Sequence, residues 1–210
     1  PEAEAGVTLL AGELTLGLVP PRHLGWHIRE AVMVAGADRI GHGIDISYDE
    51  HMFETLAYMA ENKIAVEINL TSNEVILGVK GEDHPFATYM ANGVPLTIST
   101  DDEGVSRIDL TNEYHRLVRT YDVDYATLVS LSRNSLQYSF LPGAALFEDT
   151  YTGRKTEECR HIADSKSVKR RDSCAELLSS SHKASLQWKL EENFTSFEAY
   201  IKNQFDELKL

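Results

Sequence analysis

With 210 residues, 42% hydrophobic and 25% charged, the chain has enough apolar material for one ordinary globular domain with a buried core, which excludes intrinsic disorder. A net charge of −13 and a pI near 5.0 argue against a nucleic-acid backbone or an anionic membrane as partner, because either would repel such a surface. Two cysteines, Cys159 and Cys174, are too few for a disulfide scaffold, and their separation does not match a zinc knuckle.

No run approaches about 18 consecutive apolar residues, and the first residues, Pro1-Glu2-Ala3-Glu4, are acidic where a signal peptide would be basic. Neither a membrane span nor a targeting segment is therefore predicted, and the compartment stays open. The chain lacks an initiator methionine and a strand-like run begins at Val7, so it reads as N-terminally truncated.

In chain order, residues 7–10, 39–40, 65–70 and 94–99 read as strands. Helical stripes lie between and after them. Residues 23–36 carry Leu24, Ile28, Val32 and Ala35 on one face and close at Gly36; residues 49–62 repeat the pattern with Met52, Phe53, Leu56 and Met59. Residues 84–92, 110–121 and 125–140 follow, and Leu141-Pro142-Gly143 ends the helical pattern. Alternating strands and helices predict parallel strands joined by right-handed crossovers. Four units in roughly 150 residues fit either half of a (β/α)8 barrel, which typically takes about 250, or a small open sheet.

Composition changes near residue 150. Residues 1–150 hold 9 Lys/Arg and 23 Asp/Glu, whereas residues 151–210 hold 11 and 10. The predicted division is thus a strand–helix domain, 1–150, and a segment, 151–210. In the latter, residues 154–181 read as irregular chain or solvated helix, and Leu186, Leu190, Phe194, Phe197, Ile201 and Phe205 predict a C-terminal helical extension.

Parallel α/β folds assemble their sites at the carboxyl ends of the strands. Here those ends read Ala11-Gly12-Glu13, Gly41-His42-Gly43, Glu67 through Asn73, and Ser99-Thr100-Asp101-Asp102. A carboxylate, an imidazole, an amide and hydroxyl cluster, and a carboxylate pair are delivered to one rim. Asp101 and Asp102 repel each other, which a bound divalent cation would relieve, while an Asp in such a place also serves as a helix N-cap or turn residue. His42, between glycines, can approach a ligand closely or can be a satisfied core histidine; Glu13 can equally cap a following turn.

Taken together and in order, these segments resemble the adenosine deaminase family of zinc-dependent (β/α)8 amidohydrolases. The resemblance runs from about Gly6 to Phe147. Arg39-Ile40-Gly41-His42-Gly43 is similar to the family's Arg-Ile-Gly-His-Gly, Glu67 to Asn73 to its Glu-x-Cys-x-x-Ser-Asn, His84-Pro85 to its His-Pro, and Thr100-Asp101-Asp102 to its Thr-Asp-Asp; Ser132-Arg133-Asn134-Ser135 resembles the helix after its last strand.

The resemblance implies the last four β/α units of a barrel and hydrolytic deamination of a purine nucleoside, adenosine giving inosine and ammonia, with Zn2+ as cofactor. By match, Glu13 would give a proton to the ring N1, His42 would orient and deprotonate the metal-bound water, Asp101 would be a zinc ligand, and Gly12 and Asp102 would bind substrate. The cytidine-deaminase signature of His-x-Glu with Pro-Cys-x-x-Cys is absent.

Three departures matter. Where the family has His-Ala-Gly-Glu with a ligating His, this chain has Leu10-Ala11-Gly12-Glu13; the family's His-x-His would lie before Pro1; and the strand cysteine is replaced by Asn69. One carboxylate is a poor zinc site, since such sites use three or more protein ligands, so the chain by itself is expected neither to hold zinc tightly nor to deaminate at a useful rate. The competing expectations are a relative acting on another purine or a nucleotide and a catalytically silent purine-binding module. A nucleotide would need basic residues at the rim, and residues 73–83 offer only Lys80, which favours a nucleoside. Open edges of a half-barrel predict self-association.

Overall fold

The computed structural model describes residues 6–162 and 173–208. The chain divides into two compact units, Pro1–Tyr138 and Ser139–Leu210, so the compositional change at residue 150 falls inside the second.

The first unit is built on four parallel strands: β1 (Thr8–Ala11), β2 (Arg39–His42), β3 (Ala65–Ile68) and β4 (Leu96–Ile98). Their spatial order is the chain order, β1-β2-β3-β4. A doubly wound sheet reverses direction at a switch point, whereas a barrel adds each strand beside the last. The uninterrupted order therefore decides for a partial (β/α)8 barrel.

The connecting helices are α1 (His27–Met33), α2 (Met52–Glu61), α3 (Leu70–Leu77), α4 (Phe86–Ala91), α5 (Glu103–Ser106), α6 (Leu110–Tyr121) and α7 (Tyr125–Gln137). Successive residues of a strand face opposite ways. Ile40, Val66, Ile68, Leu96 and Ile98 belong to the buried core with Ile28, Val32, Leu56, Met59, Phe86, Tyr89 and Leu117 from the helices. The register places Leu10, Gly41, Glu67 and Thr97 in one row across all four strands, on the opposite, inner face. Beside that row Arg39 Nε pairs with Glu67 Oε1 at 2.8 Å.

Several predicted elements are shorter than the sequence suggests. The first helix starts at His27 instead of 23, because Pro21–His23 forms a 3-10 turn whose proline lacks an N–H donor. The fourth starts at Phe86, with Pro85 at its N-cap, and the His84 side chain accepts the Phe86 N–H at 3.1 Å. Asp109 and Asp124 cap α6 and α7 by accepting from Asn112 N–H and Thr127 N–H, both at 2.8 Å.

In the second unit a two-stranded antiparallel ribbon, β5 (Phe147–Asp149) and β6 (Arg154–Lys155), accompanies α8 (Ser173–Ser180) and α9 (His182–Leu208). Residues 173–180 are helical, one of the two forms expected of this segment, and Cys159 and Cys174 form a single disulfide in a small core with Leu146, Phe147, Ala184 and Trp188. Lys169-Arg170-Arg171 lies outside the described residues. Among the described residues no helix is long and apolar enough to cross a membrane.

Candidate active site

The carboxyl ends of β1, β2 and β4 bring Glu13, His42 and Asp101 together. Each offers one ligand atom, and these atoms lie within 4.8 Å of one another. His42 Nε2 is 3.6 Å from Glu13 Oε2 and 3.7 Å from Asp101 Oδ2.

The backbone aims these side chains by leaving the pleat. Strand alternation would send His42 to the helix-packed face with Ile40, but its φ of 73° is left-handed, and the imidazole instead meets Asn69 and Asn73. Asp101 is likewise left-handed, at 55°. Non-glycine residues in this region carry on the order of 1 kcal/mol or more of strain, which the surrounding structure must offset.

Glycine is required beside them. Gly12 has φ 74°, and a Cβ there would overlap Asp45 Oδ1 and come within 2.9 Å of Ile28 Cδ1; at Gly43, φ 61°, it would meet the Tyr89 hydroxyl at 2.6 Å. Gly12 thus serves the backbone turn that carries Glu13, which is a packing role distinct from the substrate contact expected of it.

Behind the rim lies a buried polar network. Asn73 Nδ2 is 2.9 Å and Asn69 Nδ2 3.3 Å from His42 Nδ1, and Asn73 Oδ1 is 3.1 Å from His84 Nε2. Ser72 Oγ donates to Asp101 Oδ2 at 2.7 Å, and Ser99 Oγ accepts the Asp101 N–H at 3.2 Å. Burial, and then the neighbouring His42, push the His84 imidazole down to about 4, so it is neutral at pH 7. Asp45, next to the Gly12 turn, is almost fully buried; burial, and then Asp49, raise its carboxyl to about 7.

Glu13 is not a helix cap, since an irregular segment follows it. Asp102 stands at the N-cap of α5, yet its side chain makes no capping hydrogen bond. The network through Asn73 and His84 is not legible in the sequence as such: the segment ending in Asn73 and the His84-Pro85 pair stand out there, but the contact between them crosses 11 residues and that from Asn73 to His42 crosses 31.

The donor set of this chain does not by itself fit a zinc ion. Leu10, on the inner face of β1 and 75% exposed, offers no lone pair where the resemblance expects a ligating histidine, and Asp101 is the one ligand present among those expected.

Residues 4–146 match the family model described as adenosine deaminase. The chain is 36% identical over 113 residues to an adenosine deaminase of Shewanella loihica, covering 53% of this chain and 33% of that protein. It is 37% identical over 129 residues to an aminodeoxyfutalosine deaminase of Streptomyces coelicolor, covering 59% and 33%. Among solved structures, Arabidopsis ADAL complexed with GMP superposes with a TM-score of 0.52 at 28% identity, covering 65% of this chain and 37% of that one. The matched part of the chain thus spans about a third of the length of these relatives. The strand order, the rim constellation and the matched family model lead to one conclusion: this chain belongs to the adenosine deaminase family, within the amidohydrolase superfamily, and represents part of its barrel.

Proposed function

We propose that the chain carries the carboxyl-terminal part of a hydrolytic deaminase site for a purine nucleoside, with adenosine as substrate and inosine and ammonia as products. The observation that carries this reading is the convergence of Glu13, His42 and Asp101 within 4.8 Å at the carboxyl ends of parallel strands. Relatives named as deaminases of adenosine and of aminodeoxyfutalosine support the reaction type, and a neighbour complexed with GMP supports a purine ligand.

Addition of water at C6 forms a C–O bond while N1 gains a proton and the added oxygen loses one; Glu13 gives its carboxyl proton to N1 and, as carboxylate, takes one from the water. The C6 hydroxyl proton then passes to the amino group, which leaves as ammonia as C6=O forms. His42 presents Nε2 to the attacking oxygen, and Asp102, its side chain free of capping, is the group assigned to a hydrogen bond with N7. Lys80 is committed to Glu74 at 2.8 Å, which favours a nucleoside over a nucleotide. The donors of this chain alone do not support the zinc chemistry expected of the family.

Leu10 favours a second reading, in which the site binds a purine without turning it over. Both are tested on the chain by equilibrium dialysis against adenosine together with ammonia release in the presence of zinc. Release that falls at least 100-fold in Glu13→Gln supports deamination. Binding without release, weakened by Asp102→Ala, which removes the donor to N7, supports the silent site; absence of both refutes the purine reading altogether.

A further inference from the structure

We infer that His84 and Asn73 are positioning residues that fix His42 as its Nε2–H tautomer, making it a hydrogen-bond donor toward Glu13 and Asp101 and neither a metal ligand nor a base at that nitrogen. One donor in the network has an identity that admits no choice, the backbone N–H of Phe86. It donates to His84 Nδ1 at 3.1 Å, so Nδ1 carries no proton. A neutral imidazole then has its proton on Nε2. That nitrogen faces an Asn73 side-chain atom at 3.1 Å, which must therefore be the carbonyl oxygen.

With Oδ1 turned to His84, Asn73 turns its NH2 to His42 Nδ1 at 2.9 Å, and an amide can only donate from nitrogen. His42 Nδ1 is consequently the acceptor and its proton resides on Nε2. The opposite arrangement fails at a definite point. With the Asn73 amide reversed, His84 would have to accept at both nitrogens and would carry no proton at all, an imidazolate. The single lone pair of His42 Nδ1 is taken by Asn73; the Asn69 amide lies farther off, at 3.3 Å, and the tautomer does not depend on it.

The Nε2–H points into the cluster, toward Glu13 Oε2 at 3.6 Å and Asp101 Oδ2 at 3.7 Å. A histidine that binds a metal through Nε2 needs the lone pair there and an N–H at Nδ1 directed to an acceptor, the reverse of what the Asn73 amide allows. The three-residue cluster therefore supplies two carboxylates and a donor, not three ligands. Toward an attacking water, His42 can orient the oxygen by donating to it but cannot take its proton, which amends the role implied by resemblance. The tautomer follows from hydrogen bonding alone; only this last consequence rests on the proposed deamination.

The test is long-range 1H–15N correlation of the imidazoles in the 15N-labelled chain near pH 7. Two signatures are expected: His42 and His84 both show an unprotonated Nδ1 and a protonated Nε2, and addition of Zn2+ leaves the His42 Nε2 resonance in place. An Nδ1–H tautomer at His42 in the unaltered chain overturns the inference, as does a zinc-dependent displacement of its Nε2. Asn73→Asp, which replaces the donor with a carboxylate, is expected to move the His42 proton to Nδ1, a change that loss of packing alone would not produce. Because the spectrum is read without turnover, a chain that releases no ammonia but shows this tautomer refutes the proposed reaction and leaves the inference standing.

Discussion

Substituting Asp45 by Asn should stabilise the protein increasingly as pH rises. Asp45 is about 1% exposed, its Oδ2 is buried without a hydrogen-bond partner, and its carboxyl titrates at about 7 against 3.8 in the unfolded chain. Between those values the folded state keeps a proton that the unfolded state has released, so stability falls with pH at about 1.4 kcal/mol per unit. Below 3.8 both states are protonated, and above 7 both are ionised, so the effect is confined to that window. Over its width the carboxyl costs about 4 kcal/mol relative to an amide of the same shape, less whatever local relaxation recovers.

His84 works against this in the wild type. Its folded value of about 4 lies below the 6.5 of a free imidazole, so the unfolded chain binds the extra proton and stability rises from pH 4 to 6.5 with a slope of similar size and opposite sign. The two contributions nearly cancel there, and each substitution exposes the other. Urea denaturation of wild type and Asp45→Asn, followed by far-UV circular dichroism at half-unit steps from about pH 4 to 8.5, isolates the Asp45 contribution as the difference between the two curves. That difference should climb through pH 7 and then level off, whereas His84→Gln should make stability decline from pH 4 onward. A difference between wild type and Asp45→Asn that is constant across the range would refute the assignment of a raised carboxyl to Asp45.

Other expectations concern single packing devices. Gly12→Ala introduces a left-handed alanine at φ 74° and a Cβ 2.9 Å from Ile28, and should lose roughly 2–4 kcal/mol in urea denaturation. Glu113 is fully buried and accepts the Thr71 N–H at 3.1 Å together with the Thr71 hydroxyl; Glu113→Ala should cost about 2–4 kcal/mol, and Glu113→Gln, which keeps one acceptor oxygen, markedly less. Reduction of the Cys159–Cys174 bridge releases a loop of 15 residues and should lower the stability of the C-terminal unit by about 3 kcal/mol, visible as a reductant-dependent shift in its thermal transition. At the site, Leu10→His should stay within about 0.5 kcal/mol of wild type because the side chain is exposed, while His42→Ala should cost about 1–3 kcal/mol by leaving the Asn73 amide unpaired; equal losses in the two variants would refute this contrast.

The strands and most helices are legible in the sequence because each carries its own period. Ile40, Val66 and Ile98 lie in short apolar runs, and the stripe of Leu56 and Met59 packs where its spacing places it. The inner row of Leu10, Gly41, Glu67 and Thr97 is not legible, because register between strands depends on crossovers of some thirty residues and not on local pattern. Helices begin later than their apolar stripes suggest where a proline stands at the first turn, as at Pro21 and Pro85. The disulfide is hidden for a different reason: two cysteines 15 residues apart carry no pairing signal until a fold brings their Cα atoms to 4.8 Å.

The site shows which losses a fold tolerates quietly. Leu10 is exposed on the inner face of β1, so a substitution there strands no buried polar group of this chain. His42 is held differently: its left-handed backbone carries strain, and two asparagine amides converge on its Nδ1 from behind. Removing it would leave those donors stranded in a region with no access to water, so folding alone suffices to retain it. Asp101 stands between these cases, strained in φ and tied to Ser72, yet exposed on one side. Persistence of His42 and its network is therefore weak evidence of continued catalysis, whereas a residue such as Glu13, which is partly exposed and makes its nearest polar contact with His42, has no comparable structural reason to be there. Within the cluster of Glu13, His42 and Asp101 that carries the functional reading, Glu13 is the member that folding does not account for, and for that reason it is the position at which purine binding should be tested first.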